Sequence, residues 1–366
     1  MRLTRRAFGR LSSLGGLALL GDAPEADAPD IPPAGGGAGA PPEGAGVRVA
    51  VIGGAERGTG FARALALLEG DGAGALDFSG GDVYLKASYG SPAPPPATTH
   101  PDALRAVVGL LRARGAEGIT LVERSGMGRT REVMGRLGAL EVLESLSVAF
   151  LPLDELDASR WRFAELPGSH WPGGIAFPDF LIQDCRVVQL CSPRTHRFGG
   201  GFSASLKNSI GLIAKRVGAR DATGQDIQGR GVDAAPSHGR NFMQDLHASP
   251  AQGQMIAEAN QVYSPGVVFL DATEVFVAGG PEKGEVARPG VIAASRDRVA
   301  LDAVAFSVLQ YAGARIGGAD GVFEQPQIKR AAELRLGARA PEGVAVMSDD
   351  GPGRLLGRRL ESILRK

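Results

Sequence analysis

Six short apolar runs punctuate the chain: Val47–Ile52 (VRVAVI), Asp82–Leu85 (DVYL), Ile119–Val122 (ITLV), Val148–Leu151 (VAFL), Val187–Leu190 (VVQL) and Val267–Leu270 (VVFL). Each is too short for a helix, and most are continuously apolar, the pattern of strands buried on both faces. Helical periodicity fills many of the intervals. Pro101 to Arg114 is the clearest case, with Leu104, Val107, Val108 and Leu111 on one face. Pro101 suits the first helical position, which makes His100 the N-cap. Further helices are predicted at Phe61–Leu68, from Thr130 to Leu137, and over Ser203–Arg216, Gln252–Gln261 and Arg298–Tyr311. Alternating strands and helices predict an α/β fold, with a largely parallel sheet flanked by helices. That fold is either one large domain or two α/β lobes with the site between them. Ligands of such sheets sit beyond the carboxyl ends of the strands, so the loops after the strands carry the candidate chemistry.

The first residues read differently. Arg5-Arg6, in the string Thr4 to Leu11 (TRRAFGRL), precede a weakly apolar run from Leu11 to Leu20. This is the pattern of a twin-arginine export signal, which carries folded proteins, often with a cofactor in place. The apolar run is about half the ~20 residues that span a bilayer, so no stable transmembrane anchor is expected. Asp22 to Gly46 is almost all Ala, Pro, Gly and acidic residues and can bury little apolar surface. The expected organisation is a signal region at 1–28, a linker at 29–46 and an α/β domain at 47–366. Ala26-Asp27-Ala28 has a small-x-small cleavage pattern, but Pro29 follows it, and the mature N-terminus stays open. The expected location is periplasmic or otherwise extracytoplasmic, with the twin-arginine translocase as a partner.

Charge excludes one class of partner. The chain has 40 basic and 40 acidic residues; without the four arginines and five acids of the first 46 residues, 36 and 35 remain. No excess favours nucleic acid or an anionic membrane. Cys185 and Cys191 are the only cysteines and cannot supply the four thiolates of an iron–sulfur cluster. On one strand they would lie roughly 20 Å apart, too far for a disulfide, so free buried thiols are expected. The five histidines show no compact metal-binding spacing.

Four loops hold the candidate residues. Lys86 follows the second strand, and His100 opens a helix whose free N–H groups favour an anion; each also has a plain structural reading, as a solvated lysine and a helix cap. Glu123 to Thr130 joins a strand to a helix, with Ser125, Gly126 and two arginines placed to hold phosphate or carboxylate, although it is neither a Walker loop nor a dinucleotide fingerprint. The richest loop runs from Ser192 through Arg194, His196, Gly199, Gly200 and Gly201 to Lys207 and Asn208. Three successive glycines bring backbone close to something, where Arg194, His196, Lys207 and Asn208 could converge. Asp271 and Glu274 end the VVFL strand as a candidate base or metal ligand, and Asp297 is either part of a site or a helix cap.

Together these loops resemble DUF362, a family of largely uncharacterised function. The resemblance rests on the strings from Thr98 (TTHPDALRAVVGLLRARGAEGITLVERSG), Pro193 (PRTHRFGGGFSASLKNSIGLI), Phe269 (FLDATEVFVAGGP) and Ala294 (ASRDRVALDAVAF). It spans roughly Val47 to Leu336, and its most specific parts are Lys207-Asn208 before Gly211 and the DRVALDAVA segment. The chain departs from the family where Ala87-Ser88 follows Lys86 in place of Pro-Asn, and where Arg194 replaces a lysine before Thr195-His196. It also lacks the cysteine-rich segments that some members carry. The arrangement of basic residues at strand ends has a fold-level analogy in nickel-pincer racemases.

Two functions are expected from these residues. One is a cofactor-binding protein or enzyme that takes an anionic ligand or a metal. Lys86, His100, His196, Lys207, Asn208 and Asp271 would be its catalytic candidates, and Arg194, Gly199, Gly200, Gly201, Ser125 and Gly126 its cofactor-binding ones. The other is a non-catalytic envelope protein that binds an anion or docks on a redox partner. The cofactor, the metal and the substrate stay open, and caps or buried ion pairs account for the same residues as a third reading.

Overall fold

The computed structural model describes residues 46–70, 74–157, 160–182, 186–198, 200–215, 219–220, 226–227, 241–317, 319–349 and 351–366. The signal region expected at 1–28, the expected linker apart from Gly46, Cys185 and Gly199 lie outside them. The strands in chain order are β1 (Val47–Gly53), β2 (Val83–Lys86), β3 (Ile119–Glu123), β4 (Ala149–Pro152), β5 (Trp161–Ala164), β6 (Ile175–Pro178), β7 (Arg186–Cys191), β8 (Arg194–His196), β9 (Gly201–Ser203), β10 (Ala219–Arg220), β11 (Asp226–Ile227), β12 (Val267–Ala272), β13 (Val275–Gly279), β14 (Gly284–Ala287), β15 (Val291–Ser295) and β16 (Val344–Met347). The helices are α1 (Arg57–Glu69), α2 (Pro101–Ala113), α3 (Thr130–Arg136), α4 (Ala139–Ser145), α5 (Ser205–Asn208), α6 (Phe242–Ala248), α7 (Gln252–Glu258), α8 (Arg298–Tyr311), α9 (Pro326–Glu333) and α10 (Gly351–Leu364).

Eight strands form one sheet in the order β16-β1-β15-β12-β7-β2-β3-β4. All are parallel except β15, which runs against both β1 and β12. The α/β fold is therefore built on one continuous sheet in place of two lobes. The reversal follows from the connection. After β12 the β13–β14 hairpin turns the chain back without a crossover helix, so the next strand enters the sheet antiparallel.

Alternate strand residues serve two helical layers. Ala50, Ile52, Val83, Leu85, Leu121, Val188, Leu190, Phe269 and Ile292 share one core with Phe61 and Leu65 of α1 and Leu104, Val107 and Val108 of α2. Phe61 meets Phe269 edge-on at 5.7 Å between centroids, a geometry that aromatic quadrupoles favour. The opposite face packs on α8, α10 and α5. Helix α8 is buried from Arg298 to Leu309, which is why it reads as apolar all round.

The helix predicted from Ser203 to Arg216 is the main local departure. Residues 201–203 are strand, α5 covers only Ser205–Asn208, and a 3-10 turn follows at Ser209–Leu212. A 3-10 turn at Ala259–Val262 likewise ends the helix expected up to Gln261. His100 caps α2 as expected, its Nδ1 accepting from the Asp102 N–H at 3.1 Å. Asp297 caps α8, with one oxygen accepting from the N–H groups of Val299 and Ala300, both at 2.8 Å. Cys191 is a buried free thiol. Among the described residues, no helix is long and apolar enough to cross a membrane.

Candidate functional site

Strands β7, β2 and β3 are adjacent and parallel, and their carboxyl ends frame a pocket of about 160 Å³. Each strand delivers one element of it. Lys86 is the last residue of β2 and Glu123 the last of β3. Beyond Cys191 of β7 the chain turns into the β8–β9 hairpin, which brings Arg194 and His196 to the rim. Helix α5 then adds Lys207 and Asn208.

At the floor lies a buried ion pair. The Lys86 ammonium donates to Glu123 at 2.9 Å, to Asn208 Oδ1 at 3.0 Å and to the Ala87 carbonyl at 2.5 Å. Glu123 also accepts from the N–H groups of Tyr89 (2.8 Å) and Arg124 (2.9 Å), so its acceptor capacity is used within the protein. Burial lowers the Lys86 pKa, and Glu123 opposes that shift. Gly211 is pressed onto this pair. A Cβ there would lie 2.6 Å from a Glu123 oxygen and 2.7 Å from Lys86 Cε, so no larger residue fits without moving the pair.

The other cations of the pocket make no ion pair among the described residues. Arg124 is consumed by carbonyl groups, donating to Ile213 O at 2.7 Å and Ile210 O at 2.5 Å. Arg194 donates to Ser88 Oγ at 3.1 Å and Ser192 O at 3.2 Å, but its Nε has no partner. Lys207 Nζ and His196 Nδ1 are likewise shut off from solvent and meet no hydrogen-bond partner among the described residues. Burial, with Arg194 adding repulsion, lowers the Lys207 amine to about 7. Burial, with Lys207 and Arg194 adding to it, pushes His196 well below its ordinary range, which keeps the imidazole neutral. Glu123 is the one carboxylate among the described residues that line the pocket. A buried donor without a partner costs about 1–3 kcal/mol, more when charged. The three residues that carry these unpartnered nitrogens, Arg194, His196 and Lys207, all line the one cavity.

A buried polar network holds α5 in place. Asp302 of α8 accepts from the N–H groups of Ser205 (2.6 Å) and Leu206 (3.1 Å) at the start of α5. Burial raises the Asp302 pKa to about 7, against the pull of those two bonds. Arg298 donates to Asn260 Oδ1 at 2.6 Å, and Asn260 donates to Leu206 O at 3.0 Å. Gln189 accepts from Ser205 Oγ at 2.8 Å and donates to Ser209 Oγ at 3.0 Å. The DRVALDAVA segment therefore acts at a distance. It positions the turn that carries Lys207 and Asn208 without lining the pocket.

Of the residues singled out from sequence, Lys86, Gly126, Arg194, His196, Lys207 and Asn208 line the pocket. Asp271 does not. Its carboxylate pairs with Arg57 Nε at 2.8 Å and accepts from Thr273 Oγ1 at 2.7 Å. Glu274 is paired with Arg288 at 2.8 Å. His100 lies near the Arg57–Asp271 cluster, where burial and the Arg57 charge lower its pKa. Ser125 is tied to Thr130 and to the Tyr89 carbonyl and stays outside the pocket. Gly200 lies in the β8–β9 turn and Gly201 opens β9, paired with His196; each has φ of +72°, a conformation that glycine adopts without strain, so both serve the reversal of the chain. Gly199 lies outside the described residues. Arg124 of the second candidate loop also lines the pocket, as do Glu123 and His247, to which sequence reasoning assigned no role of their own. The signal for Glu123 was a carboxylate closing an otherwise apolar strand. Among the described residues, no group of three His, Cys, Asp or Glu side chains could hold a metal ion.

The Lys207 amine gives a measurable linkage. Its pKa is about 7 folded against 10.5 ordinarily, so between those values the unfolded chain binds more protons and stability rises with pH. Below about 7 the burial penalty is fully present. Lys207→Met should therefore stabilise the ligand-free protein most at pH 6, with the gain shrinking as pH approaches 10. Urea unfolding across that range measures it, and a pH-independent gain would contradict the burial of an uncompensated amine.

Comparison with known proteins adds a family. A search of curated proteins gives no match. A solved structure, the lactate racemase apoprotein from Thermoanaerobacterium thermosaccharolyticum, aligns with 13% identity over 71% of this chain and a TM-score of 0.37. The chain spans 56% of that protein's length, and nothing about its reaction transfers at this level of likeness. The model of DUF362, a domain of unknown function, matches residues 83–307, which include β2, β3, β7, α5 and most of α8. The chain belongs to the DUF362 family.

Proposed function

We propose that this protein binds a small organic or inorganic anion in the pocket between β7, β2, β3 and α5. The observation that carries this reading is the pair of desolvated donors, Lys207 Nζ and Arg194 Nε, left without partners beside a carboxylate already consumed by Lys86. An anion would satisfy both at once and remove the cost of burying them unpaired. The pocket size favours a ligand of a few heavy atoms, such as phosphate or a short carboxylate. Asp271 and Glu274, engaged with Arg57 and Arg288, are not assigned an acid–base role.

At constant ionic strength, phosphate or a short carboxylate should raise the thermal unfolding midpoint in a concentration-dependent way. Arg194→Ala and Lys207→Met should each weaken this response at least about tenfold, as expected for losing a charged hydrogen bond. Indifference of the wild type to every anion, or an unchanged response in both variants, would overturn the reading.

We further propose export through the twin-arginine route, on the strength of Arg5-Arg6 ahead of the Leu11–Leu20 run. Fractionation of cells expressing the full chain should find it outside the cytoplasm. The double variant Arg5→Lys, Arg6→Lys should stay inside. Equal distribution of the two would remove the export assignment.

A further inference from the structure

The orphaned amine in the pocket has a use beyond holding charge. We infer that Lys207 Nζ condenses with the carbonyl of a small oxo acid whose carboxylate is held by Arg194, forming an imine. This inference rests on the anion-binding reading above and names the substrate class of that same pocket.

Three observations carry it. First, the two lysines of the pocket differ. Lys86 is locked by Glu123, Asn208 and Ala87, which leaves its nitrogen no free direction for attack. Lys207 lines the same cavity, and its Nζ has no partner among the described residues. Second, a lysine becomes a nucleophile when burial and a neighbouring cation favour its neutral form. Both conditions hold here, and near neutral pH a substantial share of the amine is free base. Third, Arg194 is the charge that bears on Lys207, and its guanidinium suits a carboxylate but cannot itself condense with a carbonyl. One small cavity that combines a carboxylate anchor with a free amine fits a molecule with a carbonyl near its carboxylate.

The step balances without a further reactant. The nitrogen lone pair forms a C–N bond, and the carbonyl π pair moves to oxygen. That oxygen takes up the two amine protons in succession and leaves as water as the C=N bond closes.

The test is reductive trapping. The purified protein is treated with pyruvate, 2-oxobutyrate or acetoacetate and sodium borohydride, then analysed by intact mass and peptide mapping. Thermal unfolding with the same acids, without reductant, runs in parallel. The expected result is a single reduced adduct on Lys207, absent without the oxo acid. Lys207→Arg should still be stabilised by the acids yet give no adduct. Stabilisation by the oxo acids with no trapped adduct would overturn the imine and leave the anion-binding reading standing. An adduct on Lys86 or scattered over surface lysines would also overturn it. Neither stabilisation nor adduct would overturn the imine, and indifference to phosphate as well would overturn the anion-binding reading with it.

Discussion

The ion pair between Lys86 and Glu123 sets the terms for everything around the pocket. It joins the ends of two neighbouring strands, draws in Asn208 from α5 and seats Gly211 against its atoms. Breaking one partner of such a pair leaves a buried charge uncompensated, typically at a cost of about 3–5 kcal/mol. Within the pocket its main consequence is electrostatic. Glu123 is neutralised by Lys86 and by two backbone N–H groups, so no carboxylate remains for Arg194 or Lys207. The pocket is therefore cationic by construction, although the chain as a whole is neutral.

Holding that arrangement requires a second layer of buried polar groups. The Asp302 carboxylate anchors the start of α5, and Arg298, Asn260, Gln189 and Ser209 tie the turn to the sheet and to α8. The polar side chains of this layer are partnered, whereas Arg194 Nε, His196 Nδ1 and Lys207 Nζ, on residues that line the pocket, are not. That contrast separates positioning from function. Other buried polar atoms also lack partners, among them Trp161 Nε1, Arg296 Nε and the Gln327 amide, but only at this pocket do three such nitrogens belong to residues that line one cavity among the described residues.

The sequence was readable where local chemistry decides the outcome. The apolar runs marked β1, β2, β3, β4, β7 and β12, and Arg298–Tyr311 appeared as α8 with its boundaries intact because Asp297 caps it locally. It was not readable where distant partners decide. Nothing near Asp271 announces Arg57, which lies 214 residues away, so a strand-end carboxylate passed for a free one. The start of α5 is fixed by Asp302, 97 residues further on, and Gly200 and Gly201 before it belong to a β-hairpin that resembles a ligand-binding loop in one dimension. Strand β15 (VIAAS) is rich in small residues and carries little strand signal of its own; its place comes from pairing with β1 and β12.

The central claim, that buried nitrogens await an anion, is tested most directly by diffraction. Crystals soaked in a bromide salt would place an anomalous scatterer wherever an anion settles. The account predicts a bromide within hydrogen-bonding distance of both Lys207 Nζ and Arg194 Nε. A map with bromide elsewhere on the surface and none in this pocket, or with Lys207 paired to a carboxylate of the chain, would contradict it.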